Sequence, residues 1–311
     1  MNILIVGGAG EVGKHLIRDF TRQGHGVRVL DRSERTKAIQ PSDLITSLHG
    51  DLADSKLVND AVSGVDAVIH LAWSFADDAR VIFGEDIQGH VNLLEASCSH
   101  NVQRFIYTST ATVYGRAVHH PVKEDHPCLI VEARKPLYAL GKYAAEELCQ
   151  YYFKSRGLAT TVLRFWWAFG ATIGGSNLRD MVRKAINHQP LEMVPEAGGA
   201  FLTMEDLGRA ILLAISNPVA AGQVYNLGSL YLSWRQIGDI IIRLTGSKSE
   251  MRMIPSDQWH GAAFLNEIWD LDWTRAIKEL GYAPAESAEA MQASFAEALR
   301  SCVAQVRAEA K

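Results

Sequence analysis

Tyr138 and Lys142 are four residues apart, a spacing that places two side chains one above the other on a helix. A free phenol titrates at about 10 and is a poor acid or base near neutrality. A lysine ammonium about 5 Å away, at an effective dielectric of about 20, favours the phenolate by about 3 kcal/mol. That is about two pKa units, enough to bring a tyrosine towards general acid–base work. With nine tyrosines among 311 residues, the spacing equally describes a helix tyrosine beside a solvated lysine. The surroundings have to decide.

Gly7, Gly10 and Gly13 form a second motif, G-x-x-G-x-x-G, between an apolar run and an amphipathic segment. Strand, tight turn and helix N-terminus in that order let a pyrophosphate approach backbone N–H groups at the positive end of a helix. Asp31 lies 18 residues beyond Gly13, where a carboxylate can accept hydrogen bonds from adenosine ribose hydroxyls and repel a 2′-phosphate. It favours NAD over NADP, against the adjacent Arg32 and Arg35, which favour the phosphate. Asp51 and Leu52 suit an adenine contact, and His70, Leu71 and Ala72 can line ribose and phosphates.

The elements that must hold these groups alternate. Asn2 to Val6 reads as a strand buried on both faces, followed by a helix from about Glu11 to Arg22. Strands are expected at Val27–Leu30, Leu44–His49, Ala67–His70, Arg104–Thr108 and Ala159–Arg164. Helices are expected at Ser55–Val62, about Glu85–His100 and about Leu137–Ser155. This alternation predicts a doubly wound parallel sheet, α/β in class. After Arg164 the texture changes to aromatic and glycine-rich, with helices at 177–187, 204–216, 234–245 and 285–307 and a strand at 223–227.

Composition is that of a soluble globular protein, 48% hydrophobic and 21% charged. A net charge of −4 and a pI near 6.3 leave no footprint for nucleic acid or anionic membrane. Cys98, Cys128, Cys149 and Cys302 are scattered without metal-like spacing, so reduced thiols in a cytoplasmic protein and no metal site are expected. The apolar start Met1–Val6 is too short for a signal-peptide core, and no run reaches the length of a membrane span. His119 and His120 lack a third ligand, and the charged stretch 77–80 reads as a solvated loop.

Taken together, the glycine motif, Asp31, Asp51-Leu52, His70-Leu-Ala72 and Asn92-Leu-Leu-Glu-Ala96 resemble the extended short-chain dehydrogenases/reductases, in their NAD-dependent epimerase/dehydratase branch. The likeness continues through Tyr107–Gly115, Tyr138-x-x-x-Lys142, Leu163-Arg164, Phe201–Asp206, Val224–Gly228 and Glu279–Pro284, nearly the whole chain in order. It implies a Rossmann-type NAD-binding domain at 1–165 plus about 203–229, and a smaller substrate-binding region at 166–202 and 230–311. By position it implies Thr110, Tyr138 and Lys142 as catalytic groups. Thr110 would hydrogen-bond a substrate hydroxyl or carbonyl, Tyr138 would carry the proton, and Lys142 would contact the nicotinamide ribose. Further cofactor contacts are implied for Glu11, Val12, Asn92, Thr108 and Phe165. The family's common dimer would use the helices at about 85–100 and 137–155.

The expected activity is hydride transfer at a secondary alcohol or ketone of a small molecule such as a sugar derivative, by an oxidoreductase or an epimerase. The rival is a non-catalytic dinucleotide-sensing protein on the same fold. Three departures bear on the substrate. Ala111 and Thr112 stand where sugar-nucleotide 4,6-dehydratases carry Asp-Glu, which argues against dehydration. Trp167 and Gly199 stand where sugar-nucleotide enzymes carry asparagine and arginine near the substrate diphosphate, with Arg179 or Arg183 as possible substitutes. Trp73, Thr112, Trp166 and Trp167 are then candidates to meet the substrate, with Phe75, Phe169, Trp269 and Trp273 as further aromatics, any of which could instead be core.

Overall fold

The computed structural model describes residues 1–309. Its first part alternates strand and helix: β1 (Asn2–Val6), α1 (Glu11–Arg22), β2 (Gly26–Asp31), β3 (Ile45–His49), α2 (Ser55–Val62), β4 (Ala67–His70). Next come α3 (Ala79–Val81), a π-helical turn at Ile82–Ile87, and α4 (Gln88–Ser99), which form one unbroken helical stretch. β5 (Arg104–Thr108), α5 (Pro136–Arg156) and β6 (Thr160–Arg164) follow. The later chain holds β7 (Trp167–Phe169), α6 (Ser176–Ile186), β8 (Leu191–Met193), β9 (Gly198–Thr203), α7 (Met204–Ser216) and β10 (Gln223–Asn226). It ends with β11 (Leu230–Ser233), α8 (Trp234–Thr245), β12 (Met251–Met253), β13 (Ile268–Trp269), α9 (Thr274–Leu280) and α10 (Ala288–Glu309).

Seven strands pair in parallel in the order β10-β6-β5-β4-β1-β2-β3. Continuous apolar runs make this possible, because both faces are covered: Leu16, Ile17 and Phe20 of α1 pack with α7 on one side, and α2, α4 and α5 on the other. The strand order reverses between β1 and β4, which opens a crevice at the carboxyl ends of those strands. β9 pairs with β7, β11 and β13 in a separate small sheet, and β8 pairs with β12. Helices α6, α8 and α10 close a third core around Phe201, Trp234 and Phe295.

Most expected boundaries hold within two residues; α10 starts three residues later than expected, and the long helix before β5 departs furthest. It begins at Ala79, because the Asp78 carboxylate accepts the Arg80 N–H and starts a turn there. The charged stretch 77–80 is therefore a helix start rather than simply a solvated loop. Among the described residues no helix is long and apolar enough to cross a membrane.

Candidate active site

The glycine turn sits in the crevice, where a groove of about 310 Å³ runs from Asp31 and Asp51 past Gly7 and Gly10 to Trp73, Phe75 and Asp86. Gly7 has φ +84°, and a Cβ there would lie 2.7 Å from the Ala72 backbone nitrogen, so only glycine lets the turn close against the end of β4. Gly10 caps α1, and Gly13 packs directly on Gly8. Asp31 ends β2 with its carboxylate accepting N–H groups of Ala9 at 2.9 Å and Ser33 at 2.7 Å, which fixes it at the groove wall. Arg32 lines the same wall, but its guanidinium pairs with Glu85 at 2.9 Å and Asp51 at 3.4 Å. The cradle and its carboxylate fit a dinucleotide.

Several residues expected to contact a cofactor have side chains engaged with other parts of the chain. Asn92 donates to the Leu52 carbonyl at 2.7 Å, so its amide props the wall through Leu52. Glu11 is exposed and pairs with Lys14, while Val12 and Phe165 pack against the sheet core. Thr108 donates to the His70 carbonyl at 2.9 Å and offers its own carbonyl to Lys142 at 3.0 Å.

Tyr138, Lys142 and Glu146 follow one another at i, i+4 and i+8 along α5. Gly141 between them lets the π-helical turn press on this helix, since a Cβ would lie 2.4 Å from Ile82. Lys142 is buried, bonded to the Thr108 carbonyl, and its ammonium lies 4.3 Å from the Trp73 ring and 5.0 Å from that of Tyr107. Burial pulls its pKa down to about 7, against the upward pull of Asp86 and Glu146. Tyr138 moves opposite to the expectation from helical spacing. Burial pushes it up to about 12, aided by the Asp86 charge and opposed only by the Thr110 hydroxyl. Desolvation wins because Lys142 is turned to Thr108 and Trp73, and its own charge is weakened by the same burial.

Thr110 ends up beside Tyr138, at the start of a 3₁₀ turn, Ala111–Tyr114. Its hydroxyl accepts the Thr112 N–H at 3.1 Å and donates to the Thr112 hydroxyl at 3.0 Å. Thr112 thus holds Thr110 in place. Beneath them, Arg164 and Glu146 form a buried ion pair at 2.5 Å, and Ser109 donates to the same carboxylate. Arg164 also lies 4.7 Å from the Tyr114 ring.

Trp166 and Trp167 are partly buried and packed on the third core. Trp166 stacks on Phe264 at 5.4 Å, and its indole fills the space above Gly199, where a Cβ would lie 2.2 Å away. Trp269 is buried near Ala111, and Trp273 packs over Gly228. Arg179 pairs with Glu309 and reaches Gln305 of α10, and Arg183 pairs loosely with Asp180 at the surface.

Sequence reasoning missed Asp86, Ser74 and the buried pair His70–His90. The two histidine Nδ1 atoms are 2.9 Å apart, and His90 Nε2 faces the Ala145 carbonyl at 3.1 Å. That contact makes Nε2 the donor, so His90 Nδ1 accepts and His70 Nδ1 donates. Burial holds both neutral, His90 down to about 3. His70 Nε2, Trp73 Nε1 and Tyr107 OH are buried near Lys142 with no hydrogen-bond partner among the described residues. Glu85-Asp86 carried no signal of its own, because acidic residues at an expected helix start read as dipole complements.

A family model, NAD dependent epimerase/dehydratase family, matches residues 3–228. A UDP-glucose 4-epimerase from Halalkalibacterium halodurans is 31% identical over 188 residues, 56% of this chain, and the chain spans only about half, 53%, of that relative's length. A dTDP-glucose 4,6-dehydratase from Streptomyces niveus is 28% identical across 91% of this chain and 88% of its own. The structure of a short-chain dehydrogenase/reductase superfamily protein from Agrobacterium tumefaciens, with bound NAD, superposes with a TM-score of 0.77 at 26% identity, covering 99% of each chain. Epimerases and a dehydratase stand side by side, so the likeness by itself does not separate those reactions. With the match running from β1 through the end of β10, this chain belongs to the NAD dependent epimerase/dehydratase family.

Proposed function

We propose that this protein is an NAD-dependent epimerase or oxidoreductase that works at a secondary alcohol or ketone of a sugar derivative, with Tyr138 as its acid–base group. The observation that carries this reading is the convergence of Thr110, Tyr138 and Lys142 behind Trp73 and Phe75, which line one end of a groove whose other end is the glycine turn and Asp31. Asp31 and the neutralised Arg32 favour NAD over NADP. A nicotinamide cofactor in the groove supplies the hydride acceptor and donor.

In this reading Thr110 orients the reacting oxygen and Tyr138 gives or takes its proton. At a pKa of about 12 the phenol stays protonated near neutrality, and proton abstraction needs positive charge beside it. Lys142, poised at about 7, is the chain's own source of that charge. Ala111 is buried and apolar and Thr112 is tied to Thr110, so the positions after Thr110 offer no carboxylate for water elimination. This favours epimerisation or oxidoreduction over 4,6-dehydration, although a dehydratase is among the relatives. The aromatic packing of Trp166 over Gly199 favours a substrate without the usual nucleotide diphosphate.

The same reading includes a homodimer through α4 and α5, where Leu140 and Tyr151 stand exposed, and a reducing cytoplasmic setting for four free cysteines. Sedimentation at a monomer mass would remove the dimer. To test the chemistry, sugars and sugar derivatives are screened with NAD for substrate-dependent nicotinamide fluorescence and, separately, for epimerised product. A dehydrogenase releases NADH stoichiometrically, whereas an epimerase re-reduces its own ketone. Tyr138→Phe is expected to lower turnover by about 10²–10⁴-fold with NAD affinity retained. Full activity in that variant overturns the mechanism.

A further inference from the structure

Phe75 is an anomaly in the loop between β4 and α3. It is a bulky residue in the left-handed region, at φ 57°, with 65% of its surface exposed. Neither property is favourable for phenylalanine, so other contacts must hold it there. Its ring lies nearly parallel to that of Tyr138, at 14° and 5.5 Å between centroids, an offset stack.

The backbone around Phe75 is pinned from one side. Asp86, in the π-helical turn, accepts the Ser74 N–H at 3.0 Å with one carboxylate oxygen and the Ser74 hydroxyl at 2.6 Å with the other. The Ser74 oxygen in turn accepts the Ala76 N–H at 3.2 Å, so the residues before and after Phe75 are both tied down. The π-helical turn docks on α5 through Ile82 and Gly141, three residues beyond Tyr138. A closed circuit results, from α5 through Tyr138, Phe75, Ser74 and Asp86 back to α5.

We propose that Asp86 and Phe75 are positioning residues for Tyr138, Asp86 fixing the Ser74–Ala76 turn so that the Phe75 ring covers one face of the phenol and aims its hydroxyl at Thr110. This rests on the reading of Tyr138 as the acid–base group. The clasp also brings a carboxylate to the reaction centre. Its charge raises the pKa of Lys142 and of Tyr138, so the anchor acts on both groups electrostatically as well as sterically. Phe75, Ser74 and Asp86 line the groove, which places the clasp where a bound molecule meets it.

The test reads the contact without turnover. The full-length protein is acetylated with N-acetylimidazole and labelling is resolved by peptide mass spectrometry. Partly exposed Tyr231 of β11, away from α4 and α5, serves as internal standard, and buried Tyr114 and Tyr225 report the fold. Phe75→Ala, Ser74→Ala and Asp86→Asn are each expected to raise labelling of Tyr138 by roughly three- to tenfold, the factor an aromatic stack represents. Phe75→Tyr is expected to restore protection. Unchanged labelling in Phe75→Ala overturns the stack. A rise there without one in Ser74→Ala or Asp86→Asn overturns the anchor, and the serine variant still reads it if Asp86→Asn exposes Tyr114. In turnover, Phe75→Ala is expected to lower kcat with KM little changed. Protection of Tyr138 alongside full activity of Tyr138→Phe would sink the functional reading alone.

Discussion

At the glycine-turn end of the groove, charge is handled by backbone N–H groups and by side chains that reach solvent, among them Asp31, Arg32 and Asp51. At the Tyr138 end, an ammonium, two histidines and an ion pair lie inside the protein. The first end can be altered one residue at a time at modest cost, since water screens what remains. The second cannot, because each charge there leans on another that has no solvent to fall back on.

Breaking the buried pair should show this most strongly. Glu146→Ala leaves Arg164 uncompensated and is expected to destabilise the fold by about 3–5 kcal/mol in urea unfolding. A loss below 1 kcal/mol would mean that this end tolerates change like the other. Lys142 gives the contrast a pH signature. Its folded pKa of about 7 lies below the ordinary 10.5, so the unfolded chain binds more protons between those values. Its contribution to stability therefore rises with pH across that window, and is least favourable below about 7. Lys142→Met should remove this slope, so its stability relative to wild type is expected to be highest near neutrality and to decline towards alkaline pH. A difference independent of pH would refute the buried ammonium.

Smaller effects are expected at the open end. Asp31→Ala should weaken NAD binding by about 1.5–3 kcal/mol, read by calorimetry, and narrow the preference over NADP. A wild-type preference for NADP would reverse the role assigned to this carboxylate. The exposed Glu11–Lys14 pair should matter least. Glu11→Ala is expected to shift stability by under about 0.5 kcal/mol.

The same contrast explains what could be read from the chain alone. Gly7, Gly10, Gly13 and Asp31 belong to a local strand–turn–helix unit, so their order implies their geometry. Strand and helix limits such as Ser55–Val62 and Ala67–His70 followed from apolar runs and punctuation. The Tyr138 face was legible as spacing, but its electrostatics were not, since burial is set by residues distant in sequence. Asp86 and Ser74 are 12 residues apart and meet only because the helical stretch turns back on the loop. Trp166 and Trp167 left two readings open, and both pack against Phe201 and Phe264 while staying only partly buried, which leaves one side of each free to face a substrate.

The π-helical turn at Ile82–Ile87 has an evolutionary consequence. Such a turn contains one residue more than the α-helical ladder needs. Deleting that residue would leave an acceptable helix, yet rotate everything on one side of it by about 100° relative to the other. Asp86 and the segment leading into the loop would then face different directions. A change of length in this stretch is thus expected to disturb the reaction centre as much as loss of Ile82 or Asp86 would, and a one-residue gap here would mark a relative whose reaction centre is assembled another way.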